Sequence, residues 1–459
     1  MAAHRFESIN PTTEELIAGY SGTSDSEIEQ RLTVAHAAFK QFRSFPLAAR
    51  GALLSKLAEL LSQRSRQYAE LMAREMGKPL AQGMAEIEKC KDSALYFVSQ
   101  GEDYLQEIER QTEAQYTATR FEPLGPLLAI MPWNFPFWQV FRFGIPALLA
   151  GNAVLLKHAP NTTGCALAIE QLMTEVGFPS GVFQVILASH EQAAKIIADQ
   201  RVSGVTLTGS TRAGRAVGEV AGRALKKLVL ELGGNDPFVV FPDVPLVDVA
   251  RLGVTARCIN SGQSCIAAKR FLVARPILDD FLAYFQEEMK AQRVGDPLEQ
   301  ETTIGPLARS DLREELDAQV KRAVANKFRL IMGGKPPSRK GYFYSPTILL
   351  AETNAAPFDE ELFGPVATII PFRDEAEAIR LANNTAYGLG ASIWTTDLDR
   401  ARRIVPQIEA GTVFVNGVVK SDSRVPFGGI KNSGYGRELS EIGIREFVNM
   451  KSVSLYSSL

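Results

Sequence analysis

The sequence predicts an α/β fold of two units, each a largely parallel sheet with helices on both faces, plus a small separate β element. Three observations carry this. From Leu127 onward, short β-branched or apolar runs alternate with helical segments, the order of a parallel sheet wrapped by helices. A second series of such runs begins after Pro237, and Gly233-Gly234 stands between the two series. The length, 459 residues, suits about three domain-sized units and a large core.

Before the first series the chain is helical. Ile28, Leu32, Ala35, Phe39 and Phe42 recur at helical spacing. A second helix is expected from about Leu47 to Met76, stopped by Gly77-Lys78-Pro79, and a third runs through Ile87, Leu95, Phe97 and Leu105. This quarter offers no evident chemistry. Tyr116–Phe121 alternates as a strand does. The first parallel series is Leu128–Met131, Ala153–Leu156, Phe183–Leu187, Gly204–Leu207 and Leu228–Glu231. The second is Phe238–Phe241, Phe271–Val273, Thr368–Ile370, Ala391–Trp394 and Val413–Val415. Ser452–Tyr456 alternates again and has no local partner, so it is expected to pair elsewhere, on another subunit.

Composition excludes several classes of function. Apolar residues make up 46% and charged residues 22%, the formal net charge is −2, and no basic run stands out. Nucleic acid and anionic membranes are therefore not expected partners. The four cysteines, Cys90, Cys165, Cys258 and Cys265, form no CxxC pair, and four histidines are too few to suggest zinc, so no metal site is expected. A reduced, cytoplasmic setting fits. Met1–Glu7 lacks the apolar core of a signal peptide, and the longest apolar stretches are broken short of a membrane span.

Seven stretches can carry chemistry. Asn260-Ser261-Gly262-Gln263-Ser264-Cys265 puts a thiol in a small polar loop between a helix and a strand, whereas inert structural cysteines usually have apolar neighbours; taken alone, structural filler remains the commoner reading of such a cysteine. Pro132-Trp133-Asn134-Phe135-Pro136 follows a strand, at the end where ligands bind in open α/β sheets, and the Asn134 amide is a neutral donor suited to an oxyanion. A turn asparagine is the plainer reading. Lys157-His158-Ala159-Pro160 also ends a strand, and its lysine can hold ribose hydroxyls or phosphate, though a solvated lysine is the plainer reading. Thr208-Gly209-Ser210-Thr211 opens a helix whose N–H groups attract phosphate; a capped helix start is the alternative. It is neither G-x-G-x-x-G nor a P-loop. Glu231-Leu232-Gly233-Gly234 ends an apolar strand in a carboxylate, where burial raises the pKa toward that of a useful base. In Glu361-Leu362-Phe363-Gly364-Pro365 an acid suits a ribose and a ring suits a wall. A glycine-rich loop, Val425–Gly434, completes the set.

Taken in chain order, Pro132–Pro136, Gly209–Thr211, Glu231–Gly234, Gly262–Cys265, Glu361–Pro365 and Pro426–Gly429 resemble the motifs of the aldehyde dehydrogenase superfamily, a resemblance that covers essentially the whole chain. The resemblance implies a Rossmann-like cofactor domain, a catalytic domain and oligomerisation strands. It places residues 1–115 and 128–231 in the first, 232–425 in the second, 116–127 and 447–459 in the strands, and 426–446 in a return segment. It implies Cys265 as nucleophile, the Asn134 side chain and the Cys265 N–H as oxyanion donors, and Glu231 as the base that hydrolyses the thioester. Lys157, Gly209, Ser210, Glu361 and Phe363 are implied as cofactor contacts, with Trp133, His158, Ala159, Pro160 and Leu232 beside them.

Within the superfamily, three features are similar to short bacterial succinate-semialdehyde dehydrogenases. Arg142, eight residues after Asn134, matches a carboxylate-binding arginine, and Ser421 matches the serine that joins it. The Lys157–Asn161 run is the third. Arg142, Ser264 and Ser421 are thus the implied substrate contacts, the arginine reading a terminal carboxylate through its two-pronged guanidinium. Many NAD-preferring relatives have Glu where Pro160 stands. NAD is expected with NADP tolerated, because nothing there repels a 2′-phosphate. A homodimer or homotetramer is implied. The competing readings are an aldehyde dehydrogenase of broad aliphatic and aromatic specificity, and a non-catalytic binding or structural protein on the same fold. Acyl transfer to coenzyme A would need no deacylating base, and Glu231 speaks against it.

Overall fold

The chain opens with a hairpin that its apolar pattern does not announce. Strands β1 (Arg5–Ile9) and β2 (Leu16–Ser21) pair antiparallel, and the computed structural model describes residues 5–351 and 359–457. Four helices follow: α1 (Asp25–Phe42), α2 (Leu47–Gln63), α3 (Ser65–Met76) and α4 (Leu80–Leu105). The single helix expected over Leu47–Met76 is therefore two, broken at Arg64 (φ −111°, ψ 15°), whose guanidinium is drawn to Glu175 at 2.5 Å. The buried face runs through Leu54, Leu57, Leu61, Tyr68 and Met72 without a change of phase, so periodicity alone cannot show the break. Gly77 ends α3 in the left-handed conformation (φ 77°), as the Gly-Lys-Pro signal predicts.

The first sheet gathers β5 (Pro126–Met131), β6 (Ala153–His158), β7 (Phe183–Val185), β8 (Gly204–Thr208) and β9 (Lys227–Glu231), preceded in the chain by β3 (Ile108–Glu109) and β4 (Tyr116–Pro123). Helices α5 (Trp138–Ala150), α6 (Thr163–Val176), α7 (His190–Ala198) and α8 (Thr211–Arg223) lie between its strands. Leu127, Leu128, Leu155 and Leu156 are all fully buried, the signature of a strand covered on both faces. Five residues after β9, the chain enters the second sheet through β10 (Pro237–Val240). Helix α9 (Leu246–Cys258) leads to the Cys265 loop and then to β11 (Arg270–Ala274), β12 (Phe328–Met332), β13 (Thr347–Ala351), β14 (Val366–Phe372), β15 (Tyr387–Gly388), β16 (Gly390–Trp394) and β17 (Thr412–Val415).

The second sheet has the order β12-β13-β14-β11-β10-β16-β17 and is parallel except for β12, an antiparallel edge strand; the sequence reading omits both β12 and the buried β13. The chain then returns through β18 (Ile430–Lys431) and β19 (Gly434–Tyr435). β19 adds antiparallel to β9, with Gly434 opposite Glu231, giving a first sheet of order β19-β9-β8-β5-β6-β7. The last strand, β20 (Val448–Leu455), corrects one expectation. It pairs antiparallel with β4 of its own chain, from Val448 opposite Pro123 to Leu455 opposite Tyr116, and so has an internal partner. With β3 it forms a three-stranded sheet in which β20 is an edge. Among the described residues, no helix is long and apolar enough to cross a membrane.

Candidate active site

Helix α9 stops at Cys258, and the chain turns through three consecutive left-handed residues, Asn260 (φ 53°), Ser261 (φ 56°) and Gly262 (φ 77°). Two of these are not glycine, so the surrounding contacts must hold the turn. Gly305 N–H donates to Ser261 Oγ (2.9 Å), Ala308 N–H to Gln263 Oε1 (2.9 Å), and Arg257 Nη2 to Gly262 O (2.6 Å). Lys269 Nζ donates to Cys265 O (2.7 Å) and Ser264 O (3.1 Å). A Cβ on Gly262 would lie 2.2 Å from the Gly364 carbonyl, so this loop rests directly on the Glu361–Pro365 stretch. Of the four cysteines, all free, only Cys265 is not buried. Burial still pushes its thiol up to about 12, opposed by the positive charges of Arg142 and Lys269. The Cys265 backbone N–H has no acceptor among the described residues.

Asn134 lies in the loop between β5 and α5. Its Nδ2 donates to Gln263 O (3.1 Å), and Asn260 Nδ2 donates to Asn134 O (2.7 Å), which stitches this loop to the one carrying the thiol. An amide nitrogen has two hydrogens, so one donor of Asn134 remains available. Helix α5 lacks a cap of its own. Glu86 of α4 supplies it, accepting from Phe137 N–H (2.9 Å) and Trp138 N–H (2.8 Å), and is itself held by buried Lys78.

Glu231 ends β9. It is 2% exposed, and its Oε1 has no hydrogen-bond partner among the described residues. Burial pushes its carboxyl well above the ordinary range; Arg142 opposes this and Glu438 adds to it. A Cβ on Gly428 would meet Glu231 Oε1 at 2.7 Å, so the Pro426–Gly429 loop closes over the acid.

The remaining residues fall into two groups. Lys157 ends β6, where burial lowers its pKa, and no carboxylate lies within ion-pair distance among the described residues. It lines a groove of about 750 Å³ with Pro160, Ser189 and Lys195. Ser210 caps α8, accepting from Ala213 N–H (3.2 Å), and Gly209 N–H donates to Glu231 O (2.9 Å). Glu361 Oε1 accepts from Gly234 N–H (3.0 Å) and faces Lys269 Nζ at 3.5 Å. Phe363 meets Trp133 edge to face at 5.8 Å. Leu232 N–H donates to Ser433 O (3.0 Å), tying its strand to the return segment.

Four residues sit otherwise than the sequence suggests. The buried ring of His158 accepts at Nδ1 from Ala159 N–H (2.9 Å) and Thr162 Oγ1 (2.9 Å), and its Nε2 meets Pro136 O at 3.0 Å. Burial holds its pKa down at about 4, so the side chain is a neutral brace with both nitrogens engaged. Ser264 is 1% exposed. Arg142 does not face open space: Nε donates to Glu438, Nη2 to Thr208 Oγ1 (3.3 Å), and the guanidinium lies 4.8 Å over Phe427. Ser421 instead accepts from Lys89 Nζ at 2.6 Å. Sequence reasoning singled out neither Glu438 nor Lys89, because each meets its partner only across the folded chain.

An aldehyde dehydrogenase family model matches residues 1–453. A probable NADP(+) succinate-semialdehyde dehydrogenase of Synechocystis sp. is 45% identical over 97% of this chain and 98% of its own length. The NAD(P)+ succinate semialdehyde dehydrogenase of Escherichia coli is 43% identical over 97% of each. The crystal structure of the succinic semialdehyde dehydrogenase of Streptococcus pyogenes, in complex with NADP+, superposes with a TM-score of 0.96 at 35% identity, covering 98% of this chain and 100% of that one.

Proposed function

Because the chain belongs to the aldehyde dehydrogenase family, we propose that it oxidises succinic semialdehyde, or a similar ω-carboxy aldehyde, to the carboxylic acid with NAD(P). The observation that carries the reading is one neighbourhood of three groups. The one cysteine that is not buried has a free backbone N–H, an amide is tied to the loop two residues before that cysteine, and a buried carboxylate has an unpartnered oxygen.

Each group has a task that its surroundings support. Glu231 takes the Cys265 proton, and the thiolate adds to the aldehyde carbon to give a thiohemiacetal. The second hydrogen of Asn134 Nδ2 and the Cys265 N–H receive the oxyanion, each donor worth about 3 kcal/mol in such sites. When bound, NAD(P) supplies the hydride acceptor. Its fit is supported by the unpaired Lys157 ammonium on the groove, the capped start of α8 at Ser210, and Glu361 beside Phe363 and Trp133. Pro160 brings no negative charge to the groove, and the relatives are named for NADP(+) or NAD(P)+, so both dinucleotides are assigned. Glu231 first releases the thiol's proton to solvent; ionised again, it removes a proton from water as the water attacks the thioester, and the Cys265 thiolate leaves.

The division of labour between the sheets follows: the first holds the dinucleotide and the second carries the thiol. The exposed edge of β20 is the surface assigned to pairing between copies, in a homodimer or homotetramer, and four free cysteines suit the cytoplasm. Broad specificity is the second reading, favoured by Arg142, whose engagement with Glu438 leaves the substrate carboxylate without the reader the sequence suggested.

The test is Glu231→Gln mixed with succinic semialdehyde and NAD(P). One burst of NADH or NADPH, slowed because the thiol also loses its base, is expected, followed by turnover at least about 100-fold slower than in the unmodified enzyme, with an acyl adduct of Cys265 visible by intact mass. Unchanged turnover without adduct would remove Glu231 from the mechanism.

A further inference from the structure

Lys89 projects from α4 into the fold, partly buried, with its ammonium 4.4 Å over the Trp138 ring and 2.6 Å from Ser421 Oγ. No carboxylate lies within ion-pair distance among the described residues. The acids around it are committed elsewhere. Glu86, on the same helix, is held by Lys78 and caps α5, and Asp422, beside Ser421, is held by Arg424. Arg142, the nearest cation on α5, is committed to Glu438 and Thr208. A desolvated ammonium without a counterion is costly, and a ligand carboxylate relieves that cost. Ser421 accepts from Lys89, which leaves its own hydroxyl hydrogen free to donate to the same ligand. A Ser93–Ser423 hydrogen bond (3.0 Å) holds α4 against this segment.

The position also relates to the chemistry. Trp138 under Lys89 and Arg142 lie four residues apart on α5, one turn and the same face. Arg142 interacts electrostatically with Lys89 and also with Glu231 and Cys265. Cys265 packs against the same buried cluster as Trp138, so the ammonium and the reacting thiol share the surroundings of this turn of α5, where the two ends of a short ω-carboxy aldehyde would be held. We infer that Lys89, assisted by Ser421, reads the terminal carboxylate of the substrate, and that Arg142 positions Glu438. This rests on the ω-carboxy aldehyde reading given above.

The experiment compares succinic semialdehyde with butanal, which has the same chain length without the charge. In Lys89→Met the ratio of their kcat/KM values falls about 30-fold through KM for the acid aldehyde, and Lys89→Arg restores most of it. Ser421→Ala lowers the ratio about 5-fold. In the unmodified enzyme the ratio falls as pH rises past about 8, where Lys89, its pKa lowered by burial and by Arg142 against the pull of Cys90, Glu86 and Asp422, loses its proton. That pH dependence is absent from Lys89→Met. Equal losses on both aldehydes, no loss on either, or a ratio independent of pH in the unmodified enzyme overturns the role of Lys89. If the unmodified enzyme does not prefer succinic semialdehyde over butanal at all, the substrate reading itself fails.

Discussion

Replacing Arg142 by methionine separates two roles for this residue that the sequence cannot distinguish. Arg142 is 2% exposed and Glu438 is 3% exposed, and they form one buried ion pair with Thr208 as a further acceptor. Methionine fills much of the volume and leaves Glu438 without its counterion. Breaking a buried pair from one side costs roughly 3–5 kcal/mol, most of it the desolvated charge left behind. Urea denaturation should therefore show a loss of that size for Arg142→Met. The double variant Arg142→Met/Glu438→Gln should recover at least half, because it removes the stranded charge. Catalysis gives an independent reading. Arg142 lowers the pKa of both Glu231 and Cys265, so its removal moves both further up and shifts the rise of the pH–rate profile to higher pH. The preference for succinic semialdehyde over butanal should survive. A variant of normal stability that has lost that preference would refute the assignment and make the guanidinium the carboxylate reader.

Two further substitutions test the frame around the site. Gly262→Ala puts a Cβ at φ +77° and 2.2 Å from the backbone of Gly364, which cannot swing aside; kcat should fall at least about 100-fold while NAD(P) binding, followed by nucleotide fluorescence, is kept. Asp236 is fully buried, and burial raises its carboxyl to about 7 against an unfolded value of 3.8. Its contribution to stability is present below about pH 4 and is lost as pH rises to about 7, so Asp236→Asn should gain on the unmodified protein across that window by up to roughly 4 kcal/mol in urea denaturation.

What was legible in the sequence follows from what local pattern can carry. Strands buried on both faces read as unbroken apolar runs, and Ala153–Leu156 and Phe271–Val273 lie within β6 and β11, although the equally buried run of β13 goes unassigned. Edge strands were harder: β12 has Arg329 and Leu330 exposed, so it shows neither a buried run nor clean alternation. The turn at Arg64 was invisible because the apolar period continues through it. Asn134, Glu231 and Cys265 each end a strand or fill a loop beside glycine or proline, which is a weak mark alone; it is the ordered set of motifs that singles them out. The partners that set their chemistry carry no such mark. Glu438 lies 296 residues from Arg142, and Ser421 lies 332 from Lys89. Arg142 is expected from the sequence to meet a substrate carboxylate, and its partner Glu438 is found only once the return segment is laid against the first sheet.

That distant pairing bears on how a thiol held at about 12 can act near neutral pH. Burial displaces Cys265 and Glu231 in the same direction, since each is penalised for carrying a negative charge. A proton moving from Cys265 to ionised Glu231 leaves the neighbourhood with one negative charge before and after. No new buried charge is created, so the desolvation that raises each group separately largely cancels in the transfer between them. Arg142 interacts with both groups and stabilises the charge on either. Glu438, bonded to Arg142, keeps that cation from pinning Glu231 in its ionised form, where it would be too weak a base to take the thiol proton.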